Sequence, residues 1–283
     1  MSGISDYRKK AFEILKATVL DDEGKFPPPA FTSGLIVFLI IVHLLSYVYP
    51  LQKTYSLDPW AIYNFEFSKL SMYPLVHSGL LHLCLNIITL VKFLSKYEKR
   101  HGTVHCGIVL NTLATWTAIP YCLFGMLLWP NTAVLGSSGW CFSLIAFMTY
   151  GNKTPVRITS YLSLPQWAMP YAFILLLAIM VPNSSFVGHL LGMGTGYALR
   201  LGWLRFMVEP PSKVVEWIES KLQPVIGLIP GAIVYYKEAQ MRDVRAEGLI
   251  AESTVLPLAH LHPSDANLPA QKFPGEGNVL GTA

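Results

Sequence analysis

The chain has 283 residues, of which 52% are hydrophobic and only 13% are charged. A soluble domain carries about 25% charged residues, so this composition excludes an ordinary soluble enzyme and indicates a membrane protein. The formal net charge of +4 is small, and no basic patch is suited to nucleic acid, so we predict no nucleic-acid partner.

The first 29 residues are mixed and charged, and they contain no apolar core typical of a cleavable signal peptide. The run Phe26-Pro27-Pro28-Pro29 separates this segment from the first long apolar stretch. We therefore expect residues 1–29 to form an N-terminal segment outside the membrane.

Six later segments are candidate membrane helices, each of which needs about 20 mostly apolar residues. They are Phe31–Tyr49, Tyr73–Leu94, Val104–Leu127, Val134–Tyr150, Trp167–Val181 and Phe186–Leu204. The sequence therefore predicts an all-α, polytopic membrane protein with a six-helix core over residues 30–206.

The distribution of positive charge predicts the orientation of these helices. Lys and Arg follow the second, fourth and sixth segments, whereas the loops Pro130–Ala133 and Pro182–Ser185 carry neither. Because cytosolic loops are enriched in Lys and Arg, both termini are predicted to be cytosolic. Four polar residues then lie in the lumenal halves of their helices: His77, His82, Ser138 and His189.

The chain after the sixth segment changes character. Residues 207–247 are amphipathic, and Val214–Tyr236 is interrupted by Pro224 and Pro230, which predicts a pair of amphipathic helices at the cytosolic membrane interface. Residues 248–283 are rich in Pro, Ala, His and Gly, and we expect a disordered cytosolic tail.

Two helix faces accompany a serine. The fourth segment opens with Gly136–Trp140, which contains Ser138. On the second segment, His82 and Asn86 are four residues apart and share a face. Polar groups inside a membrane usually face the bundle interior.

The sixth segment carries the other face. His189, Gly192 and Gly196 are spaced by three and four residues, and glycines allow close helix packing. If this segment packs on the fourth, His189 reaches Ser138. Each motif alone is also typical of plain helix packing.

A serine–histidine pair supports acyl transfer. A base must take the serine proton, a role that fits His189, with Ser138 as the nucleophile. The backbone N–H of Ser138 and the side chains of His82 and Asn86 are candidate oxyanion donors. No Asp or Glu lies within the six segments, so a dyad is predicted.

The sequence offers no metal or cofactor motif. A trio of His77, His82 and His189 could hold a metal, but His-Glu-x-x-His is absent and no carboxylate is near. The four cysteines all lie in apolar runs and fit buried hydrophobic residues. We therefore predict neither a metal nor a cofactor.

Together, these motifs resemble the rhomboid intramembrane serine proteases over residues 31–205: His77-x4-His82-x3-Asn86, Gly136-x-Ser138-Gly139 and His189-x2-Gly192-x3-Gly196. The resemblance implies that Ser138 and His189 are catalytic and that His82 and Asn86 stabilise the oxyanion. It implies site support by His77, Gly136 and Gly139, and helix packing by Gly192 and Gly196.

The resemblance also implies membrane-anchored protein substrates, cleaved at or near the lumenal end of their helices, with the fifth helix as a lateral gate. The six-helix form is similar to the fungal Golgi-type rhomboids, so a Golgi location is expected, with the endoplasmic reticulum or an endosome as the alternatives. Relatives of that type suggest membrane-bound transcription-factor precursors as substrates. Ser68-Lys69 stands where many rhomboids carry Trp-Arg, which puts the folding role of that loop motif in doubt.

The tail contains a second short motif. Phe273, Gly275, Gly277 and Leu280 match a pattern that binds the valosin-containing AAA ATPase, with an aromatic and a leucine as anchors. One alternative to a protease is a non-catalytic adaptor that binds client helices and delivers them to this ATPase. A transporter is the other alternative, although the ionisable residues cluster on one side rather than lining a path.

Overall fold

A computed structural model describes residues 23–157, 163–180 and 185–245 of the chain. The chain divides into two units, Met1–Val244 and Arg245–Ala283. All helices named below belong to the first unit. The predicted tail, with its Phe273–Leu280 motif, and most of the N-terminal segment lie outside the described residues.

The described structure is dominated by helices. In chain order they are α1 Ala30–Leu45, α2 Leu51–Tyr55, α3 Phe67–Met72, α4 Leu80–His101, α5 Thr103–Leu128, α6 Ser138–Thr149, α7 Met169–Met180, α8 Phe186–Arg200, α9 Arg205–Val208 and α10 Ser212–Ile226. Each of the six predicted segments contains one helix: α1, α4, α5, α6, α7 and α8. Among the described helices, only α4 and α5 are both long and apolar enough to cross a membrane. Six membrane spans therefore stay a prediction.

The second predicted segment differs most from the observed helix. Tyr73–Leu75 forms a separate 3-10 turn around Pro74, and Gly79 is extended before α4 begins. Proline restricts the residue before it and interrupts the helix. At the other end, α4 continues through charged, helix-forming residues to His101 and stops at Gly102, whose φ is +99°.

The extension of α4 beyond the predicted segment brings a carboxylate, that of Glu98, into the helix. Glu98 is fully buried. Its carboxylate accepts the backbone N–H groups of Phe31 and Thr32 at 2.8 and 2.9 Å, and the hydroxyls of Thr32 and Thr103 at 2.8 Å each. Four donors satisfy this buried carboxylate, which joins the start of α1 to the junction between α4 and α5.

The chain after α10 packs back onto the same end of the bundle. The carbonyl of Val234 accepts the N–H of Ala30, and the carbonyl of Tyr236 accepts the N–H of Thr103. Within Val214–Tyr236, where a pair of interfacial helices is predicted, α10 ends at Ile226. Residues beyond 206 therefore contribute to the packing of the core.

A small departure from the all-α prediction lies between α6 and α7. Strands β1 Pro155–Arg157 and β2 Ser163–Pro165 form an antiparallel pair. The side-chain amide of Asn152 donates to the side-chain oxygen of Gln166 at 3.0 Å. This contact fixes the chain just before α7 begins.

The helix α6 lies at the centre of the bundle. Trp140, Phe142, Leu144 and Ile145 are all at least 96% buried, on every side of the helix. Its neighbours are α4, α5, α7 and α8. An apolar helix enclosed on all sides is a core helix, and its first residue is Ser138.

Candidate active site

Three helices begin at one end of the bundle and bring the predicted site residues together. His82 lies in the first turn of α4, Ser138 opens α6, and His189 lies in the first turn of α8. The Oγ atom of Ser138 lies 3.0 Å from Nε2 of His189. All three residues line a cavity of about 500 Å³. This distance is short enough for proton transfer between hydroxyl and imidazole.

The imidazole of His189 is held from two directions. Its ring lies against Phe142, with 4.7 Å between ring centroids. The start of α8 is capped by Ser185, whose hydroxyl accepts the N–H of Gly188 at 3.0 Å. The capped helix and the packed ring together fix the position of this imidazole.

The glycines of α8 bring its backbone against α6. A methyl group at Gly192 would lie 2.8 Å from the carbonyl oxygen of Gly139, and one at Gly196 would lie 2.7 Å from Cα of Ser143. The hydroxyl of Ser143 lies 2.8 Å from the carbonyl oxygen of Gly192. The backbones are therefore too close for any residue larger than glycine.

Gly136 creates space for His82. Its φ is +105°, and a methyl group there would lie 2.5 Å from Cε1 of His82 and 2.7 Å from Nε2. Glycine is the residue that tolerates both the backbone angle and the contact. By comparison, a methyl group at Gly139 would make an ordinary 3.4 Å contact with the hydroxyl of Tyr73.

Asn86 lies behind His82 on the same face of α4. Its amide nitrogen donates to the backbone carbonyl of His82 at 3.0 Å, and its side chain is 5% exposed. A primary amide has two N–H groups, so this bond uses one of them. Asn86 lines a second, apolar cavity of about 210 Å³ that also reaches Ser138 and His189.

His77 is not where the sequence placed it. We expected it on the second helix, but it precedes α4 and is fully buried. Its Nε2 lies 3.1 Å from Oγ of Ser137 and 3.3 Å from the N atom of Ser137. The two adjacent serines are thus separated: Ser137 is buried with His77, whereas Ser138 opens to the cavity with His189.

The loop before the site contains an ion cluster that sequence reasoning missed. Nζ of Lys69 lies 2.7 Å from Oδ2 of Asp58 and 2.7 Å from Oε2 of Glu66. Partial burial lowers the pKa of Lys69, but the hydrogen bonds to the two carboxylates outweigh this effect and raise the pKa. Lys69 therefore stabilises the loop that lacks the Trp-Arg motif, through its ion pairs with Asp58 and Glu66.

Ser78 was also missed, because it belongs to none of the motifs. Its Oγ lies 3.1 Å from Nδ1 of His82, and it lines the same cavity as Ser138. Its place four residues before His82 was the signal that pointed to this contact. Within the described part of the chain, no group of three His, Cys, Asp or Glu side chains is placed to hold a metal.

An apolar helical bundle with a hydroxyl and an imidazole in contact beside a cavity has the features of a membrane-embedded serine hydrolase. The comparisons with known proteins agree. Residues 64–206 match the family described as the Rhomboid domain. The chain is 39% identical to rhomboid-type serine protease 2 of Yarrowia lipolytica, over 90% of this chain and 94% of that protein.

Two further relatives are similar to the chain. Rhomboid-type serine protease 2 of Saccharomyces cerevisiae is 37% identical, over 92% of this chain and 97% of that protein. Rhomboid-type serine protease B of Aspergillus fumigatus is 34% identical, over 80% of this chain and 83% of that protein. The chain therefore belongs to the rhomboid family, and it is an integral membrane serine protease.

Proposed function

We propose that this protease cleaves membrane-anchored proteins within or near their transmembrane helices by means of a Ser138–His189 dyad. The observation that carries the proposal is the 3.0 Å distance between Oγ of Ser138 and Nε2 of His189, at the edge of a cavity of about 500 Å³. Among the described residues, no carboxylate forms a hydrogen bond with the His189 ring, which favours a dyad over a triad.

The chemistry follows from this contact. Oγ of Ser138 attacks the substrate carbonyl carbon while its proton passes to Nε2 of His189. The tetrahedral intermediate collapses, the C–N bond breaks, and His189 gives the proton to the leaving amine. Water then attacks the acyl-enzyme and passes a proton to His189. The bond between the acyl group and Oγ of Ser138 breaks, and the freed Ser138 oxygen takes that proton back from His189.

Three donors are available for the oxyanion. Ser138 is the first residue of α6, where backbone N–H groups have no acceptor within the helix. We assign the other donors to the imidazole of His82 and the second amide N–H of Asn86, both beside Ser138 in the cavities. Removal of one such donor lowers kcat by about 10²–10³ in other serine proteases.

The apolar cavity suggests how a membrane segment reaches the dyad. It lies between α4 and α7 and is lined by Leu85, Ile88, Phe173 and Leu177. An apolar side chain of the substrate fits this lining. The substrate segment must be unwound, because a helical peptide bond is shielded and already hydrogen-bonded. We therefore assign the lateral gate to α7, and membrane-bound transcription-factor precursors are candidate substrates.

The cellular setting is part of the same proposal. Lys and Arg near the ends of the second, fourth and sixth predicted segments support cytosolic termini, and the Golgi is the proposed location. The helix α10 buries Val215 but exposes Val214, Trp217 and Val225, which supports its placement at the membrane interface.

The tail motif supports a cytosolic partner. Phe273 and Leu280 would anchor the AAA ATPase, so Phe273→Ala is expected to lower co-purification of the ATPase at least several-fold. Glu276→Ala, within the motif but at none of its four fixed positions, is the matched control. Unchanged recovery with Phe273→Ala would exclude this interaction.

The dyad is tested by labelling the membrane protein with a serine-reactive phosphonate probe. Wild type and Ser137→Ala are expected to be labelled, and Ser138→Ala is not, because Ser138 is the hydroxyl in contact with His189. Labelling that is lost with Ser137→Ala but kept with Ser138→Ala would show that Ser137, and not Ser138, is the nucleophile. Full biological complementation by Ser138→Ala would favour the adaptor alternative.

A further inference from the structure

The two nitrogens of His82 have different surroundings. Nδ1 lies 3.1 Å from the hydroxyl oxygen of Ser78. The Cε1 and Nε2 atoms of the ring face Gly136, the residue two before Ser138. One nitrogen is therefore bound to a serine, and the other is directed toward the start of α6.

The local fold explains why Ser78 reaches this nitrogen. Gly79 precedes α4 with an extended backbone, at a φ of −174°, and Ser78 lies immediately before it at a bend in the chain. Ser78 lies four positions before His82, and its hydroxyl contacts the ring where the helix begins. Ser78, His82 and Ser138 line one cavity, so the contact lies at the site itself.

The chemistry of imidazole gives this contact a consequence. A neutral histidine has one N–H, and a partner that donates a hydrogen bond to one ring nitrogen places that hydrogen on the other nitrogen. When Ser78 donates to Nδ1, the hydrogen is on Nε2, the atom that faces the site. With the hydrogen on Nδ1, Nε2 would present a lone pair to the developing oxyanion and repel it.

We propose that Ser78 is a positioning residue that holds His82 in the tautomer with Nε2–H directed at the oxyanion. The inference rests on the oxyanion role proposed above for His82. The ring of His77 packs on His82 edge-to-face, with 5.2 Å between centroids, and limits its rotation. Asn86 bonds the backbone of His82 and not its ring, so among the described side chains Ser78 is the hydrogen-bond partner of this imidazole.

The experiment compares Ser78→Ala and Ser78→Thr in reconstituted vesicles with a membrane-anchored substrate. Ser78→Ala is expected to lower kcat roughly three- to tenfold, the equilibrium effect of one neutral hydrogen bond, with KM and Tm unchanged. Ser78→Thr keeps the hydroxyl and is expected to retain kcat. Ser71→Ala, whose hydroxyl bonds the Ser68 carbonyl outside the cavity, is the matched control.

A double mutant separates this inference from the proposed function. In a His82→Ala background, Ser78→Ala is expected to cause no further loss, because the hydroxyl acts through the imidazole. Full activity of His82→Ala would overturn the proposed role of His82 itself. Two outcomes with an impaired His82→Ala variant would overturn the role of Ser78 alone. One is full activity of Ser78→Ala, and the other is a double variant in which the losses of the two single variants add.

Discussion

Oγ of Ser138 lies 3.0 Å from Nε2 of His189, although the residues are 51 positions apart in the sequence. The contact depends on how closely α8 approaches α6. Gly192 and Gly196 line that approach, each with space for a hydrogen atom but not for a methyl group. The packing of two helices thus decides whether the pair can form.

The first prediction concerns this packing. Gly196→Ala places a methyl group 2.7 Å from Cα of Ser143, so the helices must separate. We expect a loss of about 1–3 kcal/mol in the free energy of unfolding and a large loss of cleavage. Thermal unfolding in detergent and cleavage in vesicles measure the two effects.

Gly194→Ala is the matched control on the same helix. A methyl group there meets no atom within 4 Å, and alanine favours a helix over glycine by up to about 1 kcal/mol. The control is therefore expected to be active and at least as stable as wild type. Equal Tm values for the two variants would contradict the close approach at Gly196.

The second prediction concerns the dyad as a unit. Ser138→Ala and His189→Ala are each expected to lower kcat by about 10⁴–10⁶, because neither group acts without the other. The double variant is expected to be no slower than either single variant. Single-turnover cleavage of a membrane-anchored substrate measures this, and losses that multiply would show that the residues act independently.

The third prediction concerns Glu98, which lies about 24 Å along α4 from His82 at 1.5 Å per residue. Glu98→Gln replaces one acceptor oxygen with an N–H₂ group that faces two donors. We expect a loss of about 2–3 kcal/mol in the free energy of unfolding, with unchanged kcat of the folded fraction.

Glu216→Gln provides the comparison for Glu98→Gln. Glu216 forms an exposed ion pair with Arg242 at 3.2 Å, and exposed pairs contribute about 0–1 kcal/mol. A Tm near that of wild type is expected. If both variants unfold at the same temperature, the four hydrogen bonds of Glu98 do not stabilise the contact between α1 and the α4–α5 junction.

The fourth prediction concerns Lys69 and pH. Lys69→Met removes both ion pairs of the loop and is expected to cost about 1 kcal/mol, whereas Lys69→Arg keeps the charge and most of that stability. The pKa of Lys69 is raised above its ordinary value of 10.5. Its contribution to the free energy of unfolding is therefore complete below pH 10.5 and is lost as the pH rises through the raised pKa.

Thermal unfolding at several pH values checks this sign. The Tm difference between wild type and Lys69→Met is expected to stay constant from about pH 7 to about pH 9. The difference is expected to shrink only at more alkaline pH. A difference that vanished near neutral pH would contradict the raised pKa of Lys69.

Hydrophobicity located the helices but not their ends. Helices occur in all six predicted segments, because long apolar runs must satisfy their backbone groups internally. The bounds failed where local chemistry competes with hydrophobicity. Pro74 and Gly79 delayed the start of α4, and charged helix formers carried it to His101. Glu98 was missed for that reason.

The sequence by itself determined the membrane class, the order of the motifs and the choice of candidate site residues, since residue type and helical spacing are local properties. Only the tertiary structure decided which groups meet: Ser138 with His189, Ser137 with His77, and Ser78 with Nδ1 of His82. The physical reason is that such contacts depend on where each helix begins and on how closely two helices approach, and a shift of one turn gives each histidine a different partner.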